Sequence, residues 1–242
     1  MRDDLLDAQA CVEWAESQRD ALENRINEWI NSRPYGVVER VHPDTGNKTL
    51  QIGEINPIPR TINVEVGAII NALRSSLDLL ANVLSKRNGH IEQRDVYFPV
   101  SRTAKKFQAD GRKKIARLSA ADQAAIEGLQ PYQEGNENLL FALHDMDIAR
   151  KHRGLIEAVS RAGAISVHNS KARPEFDKII RSQPPEHCYV EARGVANPNY
   201  RIQVRIEVVF CNVDAISGKD VIATLCEFAN LTRGIISHFD TP

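Results

Sequence analysis

Val66, Ile69, Ile70, Leu73, Leu77, Leu80 and Leu84 recur every three or four residues, which predicts a helix from about Val64 to Arg87 with one continuous apolar stripe. At 1.5 Å per residue such a helix is about 36 Å long. A stripe of that length is stable only when other apolar faces cover it, so the chain must build a core of several packed helices. Asn88-Gly89 supplies the stop, because glycine readily adopts the left-handed conformation that closes a helix.

Partners for that stripe can be read on either side of it. Residues 3 to 31 place Leu5, Leu6, Val12, Trp14, Leu22, Ile26, Trp29 and Ile30 roughly on an amphipathic face, and Pro34 ends the run. Ser119 to Asp122 resembles a capping box with Asp in place of Glu, so a helix is expected there, ending before Pro131. A final helix from about Lys219 to His238 turns Val221, Ile222, Leu225, Phe228, Leu231 and Ile235 inward. A third long helix is expected from about 137 to 162, with a peculiarity. Leu139, Leu143 and Met146 share one face, whereas Ile148, Leu155, Ile156 and Val159 lie opposite.

Extended segments punctuate the helices. Tyr35 to His42 and Lys48 to Ile55 read as a hairpin across Pro43-Asp44-Thr45-Gly46-Asn47. Tyr200 to Phe210 alternates apolar and polar residues, with Tyr200, Ile202, Val204, Ile206, Val208 and Phe210 on one face, and Cys188 to Ala192 is its expected hairpin partner. Gly163 to Glu186 reads as a polar loop, and Tyr97-Phe98-Pro99-Val100 as a short extended piece tucking aromatics under the bundle. The expectation is an α+β fold: one domain over 1–242, a long-helix bundle with a small antiparallel sheet made from a hairpin insertion at 35–60 and a second hairpin at 187–211.

Charge and composition narrow the function classes. The 31 basic and 32 acidic side chains leave a net charge of −1, so any polyanionic partner must meet a local patch. No segment has the apolar length of a membrane span or a signal-peptide core, and a cytoplasmic location is expected. Cys11, Cys188, Cys211 and Cys226 form no C-x-x-C pair and read as buried thiols in a reducing compartment. Metal-ligand spacing, a nucleophile elbow, a phosphate loop and G-x-G-x-x-G are all missing, so no cofactor is expected.

The residues best suited to chemistry cluster on the second and third long helices. Arg150, Lys151, His152 and Arg153 sit where the apolar face changes. His152 falls within the second apolar stripe and should be buried, while Arg150 and Arg153 prolong the first, with Lys151 toward solvent. Two such guanidinium groups could fork onto phosphate or carboxylate, or meet acidic side chains such as Asp78 and Glu157. Arg74 and Asp78 lie four residues apart on the flank of the 64–87 stripe, with Asn71 and Asn82 on the same edge. Packed together, Arg74, Asp78, Arg150, His152 and Arg153 would form one polar cluster. His144 and Asp147 are a turn apart but do not align with His152 as metal ligands. The outward face of Tyr200 to Phe210, with Arg201, Gln203, Arg205 and Glu207, reads as a solvated sheet surface.

The block order L-R-S-S-L-D (Leu73 to Asp78), Y-F-P (Tyr97 to Pro99), L-Q-P-Y (Leu129 to Tyr132) and R-K-H-R (Arg150 to Arg153) resembles a group of functionally unassigned bacterial proteins. Its first block also resembles the R-x-x-x-x-H motif of HEPN domains, helical bundles that often act as RNases or as partners in toxin and phage-defence systems. Leu79 stands where that motif places histidine, and Arg150 stands where the K-H-R block of the unassigned bacterial group begins with an acidic residue, so the resemblance implies an inactive domain or a binding module without the usual RNA-cleaving pair. Arg161/His168, Arg181/His187 and Arg233/His238 also satisfy an R-x4-6-H spacing, and Arg233 with His238 is the alternative pair of most interest. The expected function is RNA or anion binding at the arginine cluster. Its rivals are a non-enzymatic interaction or self-association protein, a homodimer for instance, and a hydrolase using His152 with Asp78.

Overall fold

A computed structural model describes residues 2–41, 43, 48–91, 95–135, 138–169, 178–181, 188–192 and 200–240. Helices dominate, accompanied by small sheets, as an α+β fold requires. The chain divides into two compact units, one formed by residues 1–24, 60–157 and 210–242, the other by 25–59 and 158–209.

The first unit is the helical one. Helix α1 (Leu6–Asn31) enters it with Ala8, Val12, Ala15 and Leu22 buried, a line at helical spacing that leaves Leu6 and Trp14 exposed. After β1 (Tyr35–Val41) and β2 (Lys48–Ile55), helix α2 (Arg60–Arg87) starts directly behind Pro59, four residues earlier than the apolar pattern suggests, because Ile62 and Asn63 are also buried. All seven apolar positions of its stripe are buried. It closes as expected: Gly89 has a φ of +83°, its N–H donates to Lys86 O, and His90 N–H donates to Ser85 O, the paired bonds of a glycine C-cap.

The segment 96–100 then runs along the bundle with Val96, Phe98 and Val100 buried. Tyr97, expected inside with Phe98, is half exposed, because an extended chain alternates its side chains. Three short helical pieces follow without a break, α3 (Ala104–Lys106), a π-helical turn (Phe107–Gly111) and α4 (Arg112–Lys114). Helix α5 (Ala120–Gly128) begins at Ser119, whose hydroxyl accepts from Asp122 N–H, as the capping pattern predicts. Helices α6 (Asn138–His152) and α7 (Val221–His238) both pack on α2 and on each other, and α7 buries Val221, Leu225, Phe228, Ile235 and Ile236.

Helix α6 departs from the sequence reading. It ends at His152, not at 162, and β3 (Ala158–Asn169) follows. Gly154, at φ +139°, turns the chain out, with its N–H and that of Arg153 both donating to Ala149 O. Beyond it Leu155, Glu157 and Val159 are exposed while Ile156 and Ala158 are buried, so the apparent second stripe is a period of two.

The second unit contains the sheets. β1 pairs antiparallel with β2, giving the expected hairpin, although residues 42 and 44–47 of its turn lie outside the described residues. β4 (Lys178–Arg181) and β5 (Cys188–Ala192) extend it to the order β1-β2-β5-β4. β6 (Tyr200–Phe210) pairs with β3 in a separate two-stranded sheet, where Arg161 and Glu207 form a cross-strand ion pair. The expected second hairpin at 187–211 is thus corrected: β5 joins β2 and β4 instead of β6. The helical period expected over 137–162 covers the start of β3, the strand that β6 pairs with. Within the expected 163–186 loop, residues 163–169 and 178–181 are strand, and 170–177 and 182–186 lie outside the described residues.

No helix among the described residues is long and apolar enough to cross a membrane. Of the cysteines, Cys11 and Cys226 are half-buried, whereas Cys211, expected inside, is exposed just past the end of β6.

Candidate functional site

The polar residues that matter line the seam where α2 meets α6. On α2, Asn71, Arg74 and Asp78 follow one another at three- and four-residue spacing. On α6, Leu140, His144, Asp147 and Arg150 do the same, with Leu143 next to His144. The core-facing side of α6 is apolar along its length, with Leu140, Leu143, Met146 and Ala149 buried, and the ionisable groups His144, Asp147 and Arg150 run beside it.

Arg74 is the best anchored of the group and only 5% exposed. Its Nη1 donates to Asp78 Oδ1 at 2.7 Å, its Nη2 to the carbonyl of Phe98 at 2.8 Å, and its Nε to His144 Nδ1 at 3.2 Å. Asp78 Oδ1 in turn accepts the Phe98 N–H at 2.9 Å. The ion pair thereby holds both backbone groups of Phe98. A guanidinium can do this because its donors diverge in one plane, each toward a different acceptor.

His144 is pulled from its ordinary 6.5 down to about 3. Burial is the largest cause, followed by the positive charges of Arg74, Lys114 and Lys151, with Asp147 opposing them. Its imidazole is neutral at physiological pH, and because Nδ1 accepts from Arg74 the ring proton resides on Nε2.

Asp147, 3% exposed, anchors the second half of the seam. Its carboxylate accepts from Arg150 Nη2 at 3.2 Å and from Lys151 Nζ. Arg150 Nη2 also donates to Asn71 Oδ1 at 2.7 Å, and Arg150 Nε is buried without a hydrogen-bond partner among the described residues. The stem of Arg150 crosses α2 at Gly67, where an added Cβ would come within 2.8 Å of Arg150 Cδ.

Three of the five expected cluster residues, Arg74, Asp78 and Arg150, therefore converge on this seam. His152 and Arg153 do not. Both are exposed at the end of α6, because the stripe that was to bury His152 belongs to a strand. That removes the expected pairing of His152 with Asp78. Lys151 is half exposed, as anticipated. The two residues missing from the sequence-based cluster are His144 and Asp147, and their signal was present: both continue the Leu140 and Leu143 positions along one face.

The alternative arginine–histidine pair also separates. Arg233 binds Glu16 of α1, while His238 is exposed at the end of α7 with its ring edge-on to Phe239. Arg161 is engaged by Glu207, and the side chains of His168 and Arg181, with residue 187, lie outside the described residues. Among the described residues, no group of three His, Cys, Asp or Glu side chains is placed to hold a metal ion.

Comparison with family models, with curated proteins and with solved structures gives no match.

Proposed function

We propose that this chain is a HEPN-like helical module that binds the phosphate of RNA, or a small anion of the same chemistry, at the α2–α6 seam without cleaving it. The observation that carries this reading is the Nε of Arg150, buried without a hydrogen-bond partner among the described residues. A guanidinium donor left unmet away from water costs about 1–3 kcal/mol, a penalty that a bound anion removes. Charge supports it: Arg74, Lys114 and Lys151 act on His144 against the single carboxylate Asp147, and Arg150 is paired to that same carboxylate. Arg74 has a positioning role here, since its Nε, Nη1 and Nη2 are all engaged within the protein.

An arginine–histidine pair does form in this reading, with His144 in place of the histidine absent at position 79. It is poorly suited to RNA cleavage. An imidazole whose pKa lies at about 3 neither takes nor gives a proton efficiently near pH 7, where general acid–base catalysis wants a matched pKa.

The rival reading, a purely structural junction, is favoured by the complete engagement of Arg74 and Asp78 with Phe98. Titration of inorganic phosphate, followed by heteronuclear NMR, separates the two. The binding reading expects saturable shifts centred on Arg150, Lys151 and His144 that vanish in Arg150→Met. Absence of any saturable shift in the unaltered chain overturns it in favour of the structural junction.

A further inference from the structure

Between Arg102 and Arg117 the sequence holds seven cations, Arg102, Lys105, Lys106, Arg112, Lys113, Lys114 and Arg117, against Asp110 alone, a net +6 within a chain whose total is −1. This segment contains α3, the π-helical turn and α4. Phe107, Gly111 and Ile115, four residues apart, point into the core, and Phe107 and Ile115 are essentially unexposed. That anchoring turns Arg102, Lys105, Lys106, Arg112 and Lys113 outward, and all five are exposed.

The cations are not equally occupied. Arg112 pairs with Glu127 at 2.7 Å and Lys113 with Asp110 at 3.0 Å. Arg102, Lys105, Lys106 and Lys114 have no carboxylate partner among the described residues. Like charges gathered without counter-charges repel one another and raise the local potential, an arrangement that a polyanion relieves. Lys114 is half-buried and acts on His144, so the strip runs up to the α2–α6 seam.

We propose that residues 102–117 form a docking surface for the phosphate backbone of a single-stranded nucleic acid. The helical part from Ala104 to Lys114 is about 16 Å long at 1.5 Å per residue. The four cations of the segment without a carboxylate partner, Arg102, Lys105, Lys106 and Lys114, match about four phosphate contacts. An anionic membrane surface fits less well. A helix that lies in a bilayer interface inserts an apolar face, and here the apolar face is committed to the core. The surface extends the phosphate reading of the seam but uses different side chains, so either can fail alone.

The test is fluorescence anisotropy of a labelled oligouridylate of about twenty nucleotides, longer than one site of this size, titrated with the full chain at several salt concentrations. Four phosphate contacts predict a log–log salt slope of about −3. Substituting Arg102→Gln, Lys105→Gln and Lys106→Gln together should reduce it to about −1 and weaken binding on the order of a hundredfold at about 50 mM salt. Lys105→Arg with Lys106→Arg should retain both. Circular dichroism melting verifies that each variant is folded. Phosphate shifts at Arg150, measured in the same triple variant, report on the seam separately. The proposal is overturned if the unaltered chain does not bind the oligonucleotide, if the triple variant binds equally well, or if phosphatidylserine vesicles or polyglutamate bind as tightly.

Discussion

Replacing Arg74 by Met tests whether the α2–α6 seam is held by that guanidinium. Methionine fills similar apolar volume but strands three acceptors: Asp78 Oδ1, the Phe98 carbonyl and His144 Nδ1. Removing one partner of a buried ion pair costs about 3–5 kcal/mol. Asp78 retains the Phe98 N–H and its side chain is 31% exposed, so the loss belongs at the lower end, about 3 kcal/mol. For a cooperative unit of roughly 150 residues that corresponds to a fall in Tm of about 6–12 °C. Arg74→Lys should fall between, since an ammonium can meet Asp78 but cannot fork to the other acceptors. Calorimetry supplies Tm, and NMR titration should find His144 moved upward from about 3 once the adjacent charge is gone. If Arg74→Met melts within about 2 °C of the unaltered chain, well inside that range, Arg74 does not organise the seam.

Acid should weaken the fold in a window set by His144. An unfolded imidazole gains a proton below 6.5 whereas the folded one resists until about 3, so the unfolded state binds more protons between those values. Stability is complete above 6.5 and declines as pH falls toward 3, by up to about 1.4 kcal/mol per pH unit. Asp4, held below 3.8 chiefly by hydrogen bonding from Arg87, is lost only at the acid end, so denaturant melts between about pH 4 and 6.5 isolate the histidine. His144→Gln should flatten this slope; an unchanged slope would assign it elsewhere. Gly67→Ala should give little net gain despite the helix propensity of alanine, because its Cβ meets Arg150 Cδ. In an Arg150→Ala background the same change should stabilise by about 1 kcal/mol. Equal effects in both backgrounds would show that Arg150 does not lie across Gly67.

The parts of this fold legible in the sequence are those where local pattern and tertiary packing agree. The α2 stripe, the Asn88-Gly89 stop, the Ser119 cap and the first hairpin all belong to this group, because each depends on neighbours a few residues away. The 137–162 run shows why the rest was hidden. Short apolar runs satisfy helical and extended periods alike, and Gly154 alone does not announce a change of element unless its φ is known. Carrying the helical phase past Gly154 put His152 in a stripe that does not exist and deprived β6 of its partner. Within the correct phase, His144 and Asp147 could have been placed beside Arg74 and Arg150. What remained unreadable was which of these polar groups would be mutually satisfied, since Arg74 is completed by the main chain of Phe98.

That last contact carries a consequence for how the segment 96–100 can vary. Arg74 and Asp78 together offer residue 98 a donor and an acceptor, as a neighbouring strand would, and they grip amide and carbonyl without consulting the side chain. The position of this stretch is therefore written on α2. Residue 98 can change among apolar types, each altering packing by its own volume, while the path of the chain stays fixed. Proline is the exception, for it surrenders the amide that Asp78 holds. A two-residue clasp on one helix thus acts as a template for a separate piece of chain, and drift at position 98 leaves the template intact.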